Sequence, residues 1–218
     1  MAAEGGHAID WERERERMVR WQIEGRGVRD PAVLSAMRTV PRHEFAPPEY
    51  LDLAYADRPL PIGLGQTISQ PYIVAYMTAA LEPGPDDRVL EIGAGSGYQA
   101  AVLAEIVARV VTLEISPVLA RRAARTLRQL GYRNVTVIVA DGRRGLPRAA
   151  PFDAILLAAA PARVPQALVD QLAESGRMIG PVGGVAEQVL RRWRRRGSAL
   201  EVEDLMPVRF VPMTGEGR

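Results

Sequence analysis

Apolar positions along the chain recur with two different periods. Residues 11 to 23 place Met18, Val19, Trp21 and Ile23 behind a run in which glutamate and arginine alternate, which predicts one amphipathic helix with a solvated charged face. Asp30-Pro31 starts a second helix through Met37, with Asp30 as cap and proline in the first turn. Helices are also predicted over residues 72–81, 99–108, 116–130 and 165–173. Between them stand short runs of β-branched and aliphatic residues, over 89–92, 109–114, 135–140, 152–160 and 177–181, dense enough to be strands buried on both faces. Five such strand–helix repeats predict an α/β fold, a doubly wound parallel sheet with helices on both faces. Two further strand-like runs, 185–194 and 200–211, joined by residues 195–198, predict a C-terminal hairpin. The chain therefore reads as one domain of 218 residues. Its parts are a loose tail over 1–9, a helical and wrapping segment over 10–82, a core over 83–182, and the hairpin and tail over 183–218. Residues 41–70, too apolar for a linker and too broken for a helix, are expected to wrap the ligand-binding edge of the sheet.

The first of these strands, Val89-Leu-Glu-Ile92, runs into Gly93, Gly95 and Gly97 and then into a helix. Glycines in a strand-to-helix turn permit positive φ and let a ligand approach backbone N–H groups left unpaired at the helix start. A dinucleotide fingerprint would place its third glycine at position 98, where this chain has Tyr98. The pattern is instead Glu91-x-Gly93-x-Gly95-x-Gly97. An acid ahead of the glycines disfavours a pyrophosphate and suits a ligand carrying an ammonium and a sulfonium. That ligand is S-adenosylmethionine, and the stretch resembles motif I of the class I, Rossmann-like methyltransferases. Glu114, at the end of the second strand, lies where an acid can accept both hydroxyls of a ribose.

Composition narrows the chemistry. All 28 basic residues are arginine, which excludes lysine Schiff-base or general-base chemistry. Cysteine is absent, which excludes disulfides, thiolate nucleophiles and cysteine-ligated zinc. His7 and His43 are the only histidines and have no metal-binding spacing, so a metal-free reaction without covalent catalysis is expected. Net charge is only +2, which announces no polyanionic partner. No apolar run reaches the length of a membrane span and the N-terminus is polar, so a cytoplasmic protein is expected.

Upstream of the glycines, Gly65-Gln-Thr-Ile-Ser-Gln-Pro-Tyr-Ile-Val74 resembles the defining sequence of the protein-L-isoaspartate O-methyltransferases. Similarity continues through residues 89–98, Ala159-Ala-Pro161 with Pro165-Gln-Ala-Leu168, and Val208-Arg-Phe-Val-Pro-Met213. It covers the chain from about Met18 onward; position 64, often polar or histidine in bacterial relatives, is Leu64. The resemblance implies methyl transfer from S-adenosylmethionine to the α-carboxylate of an L-isoaspartyl residue in a damaged protein or peptide. The ester then closes to a succinimide whose hydrolysis regenerates some aspartate. It also implies that Ser69 is catalytic, with Thr67, Ser69, Glu91, Gly93, Gly95, Ser96, Gly97, Glu114, Asp141, Gly142 and Thr214 around the cofactor. Asp141-Gly142 would meet the adenine. Ile68, Ser69, Phe210 and Val211 would meet the substrate, and the enzyme would work as a monomer with no nucleic-acid or membrane partner. The implied reaction suits the composition, because a carboxylate with pKa near 3.5 is already ionised and needs no general base.

Two other readings compete. One is a methyltransferase of the same fold acting on RNA or a small molecule, favoured if the arginines at 191, 192 and 194–196 around Trp193 form a functional patch. The expectation here is that they line a solvated strand edge that discourages aggregation. The other is a protein that binds the cofactor without catalysis. Ser69 has a further reading of its own, as a helix cap before Pro71.

Overall fold

In the computed structural model the described residues are 9–184 and 186–215. Residues 1–8 of the expected tail lie outside them. Helix α1 (Trp11–Arg17) is capped by Asp10, whose carboxylate accepts from the Arg13 N–H. The helix then widens into a π-helical stretch, Met18–Ile23, where a regular α-helix was expected. Its buried residues Met18, Val19 and Ile23 are one and five positions apart, a spacing that i→i+5 bonding carries to a common side. The charged face is not merely solvated, since Arg38 of α2 (Pro31–Thr39) reaches back to both Glu16 and Glu24. Asp30 accepts from the N–H groups of Ala32 and Val33 at 2.9 and 3.0 Å. Replacing Asp30 with Ala should cost about 1 kcal/mol of stability, measured as a lower urea midpoint with an unchanged slope.

The wrapping segment is ordered by short 3-10 turns and by a small hairpin that the sequence reading did not anticipate, β1 (Leu60–Gly63) and β2 (Gln66–Ile68). It is locked from beneath by Arg42, which is fully buried. The guanidinium donates to the carbonyl oxygens of Ala54 and Arg58 and lies 4.9 Å from the centre of the Tyr98 ring. Tyr98 is the first residue of the helix after the glycines, so the wrap and the glycine turn share one buried contact.

Helix α3 (Pro71–Leu81) leads to β3 (Arg88–Ile92), α4 (Tyr98–Ala104), β4 (Arg109–Glu114), α5 (Pro117–Gln129), β5 (Val135–Val139), β6 (Phe152–Leu157), α6 (Gln166–Val169), β7 (Leu172–Gly183), β8 (Gln188–Arg196) and β9 (Ala199–Pro207). The seven-stranded sheet has the order β5-β4-β3-β6-β7-β8-β9, parallel from β5 to β7 and antiparallel beyond. Strands β3 and β6 are central and nearly wholly buried, as their largely apolar sequences require. The α3, α4 and α5 side of the sheet, with the N-terminal elements, holds the larger core. The opposite side is covered by short turns and α6 over Leu90, Ile155, Leu168 and Trp193.

Several boundaries differ from expectation, among them β6, which ends at Leu157, and β8, which spans Gln188–Arg196. Helix α4 stops at Ala104 rather than 108, because the side-chain amide of Asn134 caps the Ala104 and Val107 carbonyls. Helix α6 stops at Val169 and β7 begins at Leu172, because the buried Gln171 side chain bonds the backbone of Arg144, Leu146 and Ala167. Strand β9 ends at Pro207 rather than 211, and residues 208–211 leave the sheet. Gln188 then takes both backbone groups of Phe210 with its side-chain amide.

The arginine cluster also differs. Strand β8 is not an edge. It lies between β7 and β9 in the sheet, and its arginines pair with acids: Arg191 with Asp204, Arg192 with Glu203 and Glu82, Arg194 with Glu82, and Arg196 with Glu201. Trp193 is buried among them. Each such pair is weak, but together they leave little uncompensated charge for a nucleic acid.

Candidate functional site

The site forms where β3, β4 and β6 reach their C-terminal ends, beneath the β1–β2 hairpin and the returning C-terminal segment. Gly93, Gly95 and Gly97 adopt φ values of +98°, +52° and +92°, as the turn was expected to demand. Three adjoining hollows open beside this turn, with Gly93 lining two of them and Gly95 one. An open groove of about 660 Å³ is lined by Thr67, Ser69, Tyr72, Val208, Phe210 and Val211, among others. A narrow hollow of about 50 Å³ touches Thr67, Ile68, Ser69, Gly93, Gly95, Ser96 and Glu114. A third of about 290 Å³ runs along Gly93, Glu114, Gly142, Met213 and Thr214.

Glu114 is the acid that faces these inner hollows. It is 7% exposed, and its two oxygens accept from the N–H groups of Gly95 and Ser116, each at 2.9 Å. The carboxylate thus ties the glycine turn to the end of β4 and still has lone pairs for a ligand's hydroxyls. Gly142 shows why its position is bare: a Cβ there would lie 2.2 Å from Ile92 Cγ2. Ser69 lines both the groove and the narrow hollow. It is not a helix cap, because the N-cap of α3 falls on Gln70, without a side-chain cap bond.

Three expected cofactor contacts are placed differently. Glu91 lines none of these hollows. It is fully buried in the sheet, pairing in register with Thr112 of β4, and neither carboxyl oxygen has a hydrogen-bond partner. Burial pushes its pKa up to about 8; nearby Thr112 opposes the shift slightly and the charge of Glu114 adds to it. Burial thus favours the neutral carboxyl of Glu91, and the acid that borders the hollows is Glu114. Gly97 also lies outside the hollows, and its bareness serves packing, since a Cβ would stand 3.2–3.3 Å from Ala123 and Leu127 of α5. Asp141 lies outside them too, clasped by Arg143, whose guanidinium holds its carboxyl below the usual range.

Other residues of the site were not among the expected contacts, although Ala159, Ala160 and Pro212 lie in stretches that carry the resemblance. Ala158 and Ala159 form the floor after β6, and Pro212 forms an isolated parallel bridge with Ala160. Ala160 fastens the C-terminal segment by donating to Val211 and accepting from Met213, at 2.9 and 2.8 Å. Among the described residues, no group of three or more histidine and acidic side chains could hold a metal. His43 stacks on Trp11 at 4.6 Å and bonds the Tyr55 hydroxyl, with its pKa lowered by burial, which is a structural role.

A family model described as Protein-L-isoaspartate(D-aspartate) O-methyltransferase matches residues 13–218. The chain belongs to that family. Among its relatives, the protein-L-isoaspartate O-methyltransferase of Gloeobacter violaceus is 58% identical over 200 residues, covering 91% of this chain and 98% of its own. That of Methanoregula boonei is 56% identical over 203 residues, covering 93% of this chain and 94% of its own. A solved protein-L-isoaspartate O-methyltransferase structure superposes with a TM-score of 0.84 at 30% identity, over 92% of this chain and 66% of that one. One from Plasmodium falciparum, in complex with S-adenosyl-L-homocysteine, shares the fold with a TM-score of 0.79 at 24% identity, over 95% of this chain and 99% of that one. For a member of this family, the polar inner hollows fit a nucleoside-type cofactor: a carboxylate with spare lone pairs, a bare glycine turn and a wall flattened at Gly142.

Proposed function

We propose that this chain methylates the α-carboxylate of L-isoaspartyl residues in damaged proteins and peptides, beginning their return to aspartate. The observation that carries the reading is the position of Ser69, shared between the narrow inner hollow and an open groove of about 660 Å³. S-adenosylmethionine, held by Glu114, Gly93, Gly95, Ser96, Gly142 and Thr214, would supply an electrophilic methyl group at that junction. The chain's own work is positioning. The Ser69 hydroxyl donates to the substrate carboxylate and orients it, Thr67 borders the same passage, and Ile68, Val211 and Phe210 exclude water from the attacking oxygen. No proton has to be removed, because the substrate carboxylate is already ionised at neutral pH. Residues 208–211 add an extended wall along which a peptide backbone can run.

A monomer is part of the same reading. So is a cytoplasmic place of action, where proteins age alongside the cofactor. Among the described residues, no helix is long and apolar enough to cross a membrane.

Labelled S-adenosylmethionine offered to matched isoaspartyl and aspartyl peptides should label only the former, with methanol released by alkali. Label in RNA, or tight cofactor binding with no transfer, would reject the reading. Ser69→Ala should lower turnover about tenfold, a loss of about 1.4 kcal/mol in the barrier, while cofactor affinity stays within about twofold. Equal loss of both would make Ser69 a cofactor ligand rather than a catalytic residue.

A further inference from the structure

The groove is apolar along most of its length, yet the charged side chains lining it among the described residues are Arg26 and Arg209, both cationic. Arg26 is held in place. It ends the 3-10 turn Glu24–Arg26, its guanidinium lies 3.5 Å above the Tyr72 ring centre, and its Nη1 bonds Asp57 Oδ2 at 2.8 Å. Asp57 is itself fixed, because its backbone carbonyl accepts from the Gln70 side chain at 3.1 Å. Stacking and one ion pair thus freeze a long side chain that would otherwise lose rotamer entropy on binding. Only Nη1 is spent on Asp57, which leaves the Nε and Nη2 edge for a planar anion.

We infer that Arg26, presented on Tyr72, is a specificity-determining residue that takes a second carboxylate of the substrate, on a flanking acidic side chain or at a free C-terminus. This rests on the reading of the groove as the peptide site. The carboxylate that reacts is a poor candidate for Arg26. Arg26 lines the outer groove and not the inner hollow that Ser69 shares, and a charge-assisted bond would draw electron density from the attacking oxygen. A flanking carboxylate suffers no such conflict. Since the Arg26 side chain is 44% exposed, its contribution is that of a solvent-screened pair, and it acts on affinity rather than on the chemical step.

The test is a set of isoaspartyl peptides carrying Glu, Gln or Lys at each flanking position, made with free and with amidated C-termini. At one position or more, Glu should lower KM about threefold relative to Gln with kcat unaltered, and the gap should close at about 0.5 M salt. An advantage seen only with the free terminus would assign the carboxylate to the chain end instead of a side chain. Arg26→Gln should abolish the difference, Arg26→Lys should restore part of it, and Arg26→Glu should turn the preference toward Lys peptides. The swap would not arise from a merely structural loss. Isoaspartyl transfer that ignores flanking charge, or a Glu preference that survives in Arg26→Gln, overturns the inference and leaves the proposed function standing. Absence of transfer to every isoaspartyl peptide overturns both.

Discussion

Replacing Glu114 with Ala weakens the binding of S-adenosylmethionine, or of its demethylated product, about 100-fold. The carboxylate does two things at once. Its oxygens hold the Gly95 and Ser116 N–H groups, so that removing it leaves the glycine turn without its tie to β4. It is also the acid that borders the two inner hollows, where it can accept hydroxyl protons of the ligand and face its positive charge. Hydrogen bonds to a charged group are worth about 1.5–3 kcal/mol each. Losing one such ligand contact and part of the turn's preorganisation amounts to about 3 kcal/mol, or two decades in Kd. Glu114→Gln keeps an acceptor but turns an amide N–H toward a backbone N–H, and should fall between the two, near tenfold. Calorimetric titration reads the affinities, with circular dichroism to show that the variants are folded. Binding of Glu114→Ala within about threefold of the parent would place the cofactor elsewhere.

The contrast between Glu114 and Glu91 shows what the sequence could carry and what it could not. The strand, the glycine turn and the acid at the end of β4 are local patterns, and each appears where its pattern put it. Glu91 also belongs to a local pattern, but whether a side chain on a strand faces a ligand or the core is decided by which layer covers that side. In β3, Val89 and Glu91 share the side packed by α3 and α4, and nothing within residues 88–98 reveals how completely those helices seal it. Asp141 is likewise legible as an acid at a strand tip, whereas its engagement by Arg143 is a matter of rotamer. The arginine run of β8 was misread for a similar reason. Its acidic partners on β9 lie five to thirteen residues away, in a register that exists only once the hairpin forms. The 60–68 hairpin was hidden by its prolines and brevity, although Gly63 and Gly65 flanking Leu64 are a turn signal that could have exposed it. Arg26 carried no signal at all, because its place over Tyr72 joins elements 46 residues apart in sequence.

Glu91→Gln should flatten the upper arm of the pH–stability profile of the cofactor-free protein. The sign follows from proton counts. An unfolded glutamate titrates near its model value of 4.5, whereas burial raises the folded value to about 8. Between these limits the folded state holds a proton that the unfolded state has lost, so stability falls as pH rises through the window. The contribution is fully present below about pH 4.5 and gone above about pH 8. A shift of this size is worth a few kcal/mol, at about 1.4 kcal/mol per unit. The tyrosines raised by burial act in the same sense only in the alkaline range, beyond this window, and the shifted groups that titrate at lower pH act in the opposite sense. His43, its pKa lowered by burial, and Asp141, its pKa lowered by Arg143, both favour the folded state as pH rises. The decline toward pH 8 is therefore specific to Glu91. Glutamine keeps the shape of the neutral acid but cannot ionise, so the variant should match or slightly trail the parent at pH 5 and exceed it by about 2 kcal/mol at pH 8.5. Urea midpoints at pH 5, 7 and 8.5 read the crossing directly. Cofactor affinity should stay within a few-fold of the parent, because Glu91 lines none of the hollows. A hundredfold loss of cofactor affinity with parallel stability profiles would mean that the Glu91 carboxylate is ionised and in contact with the ligand.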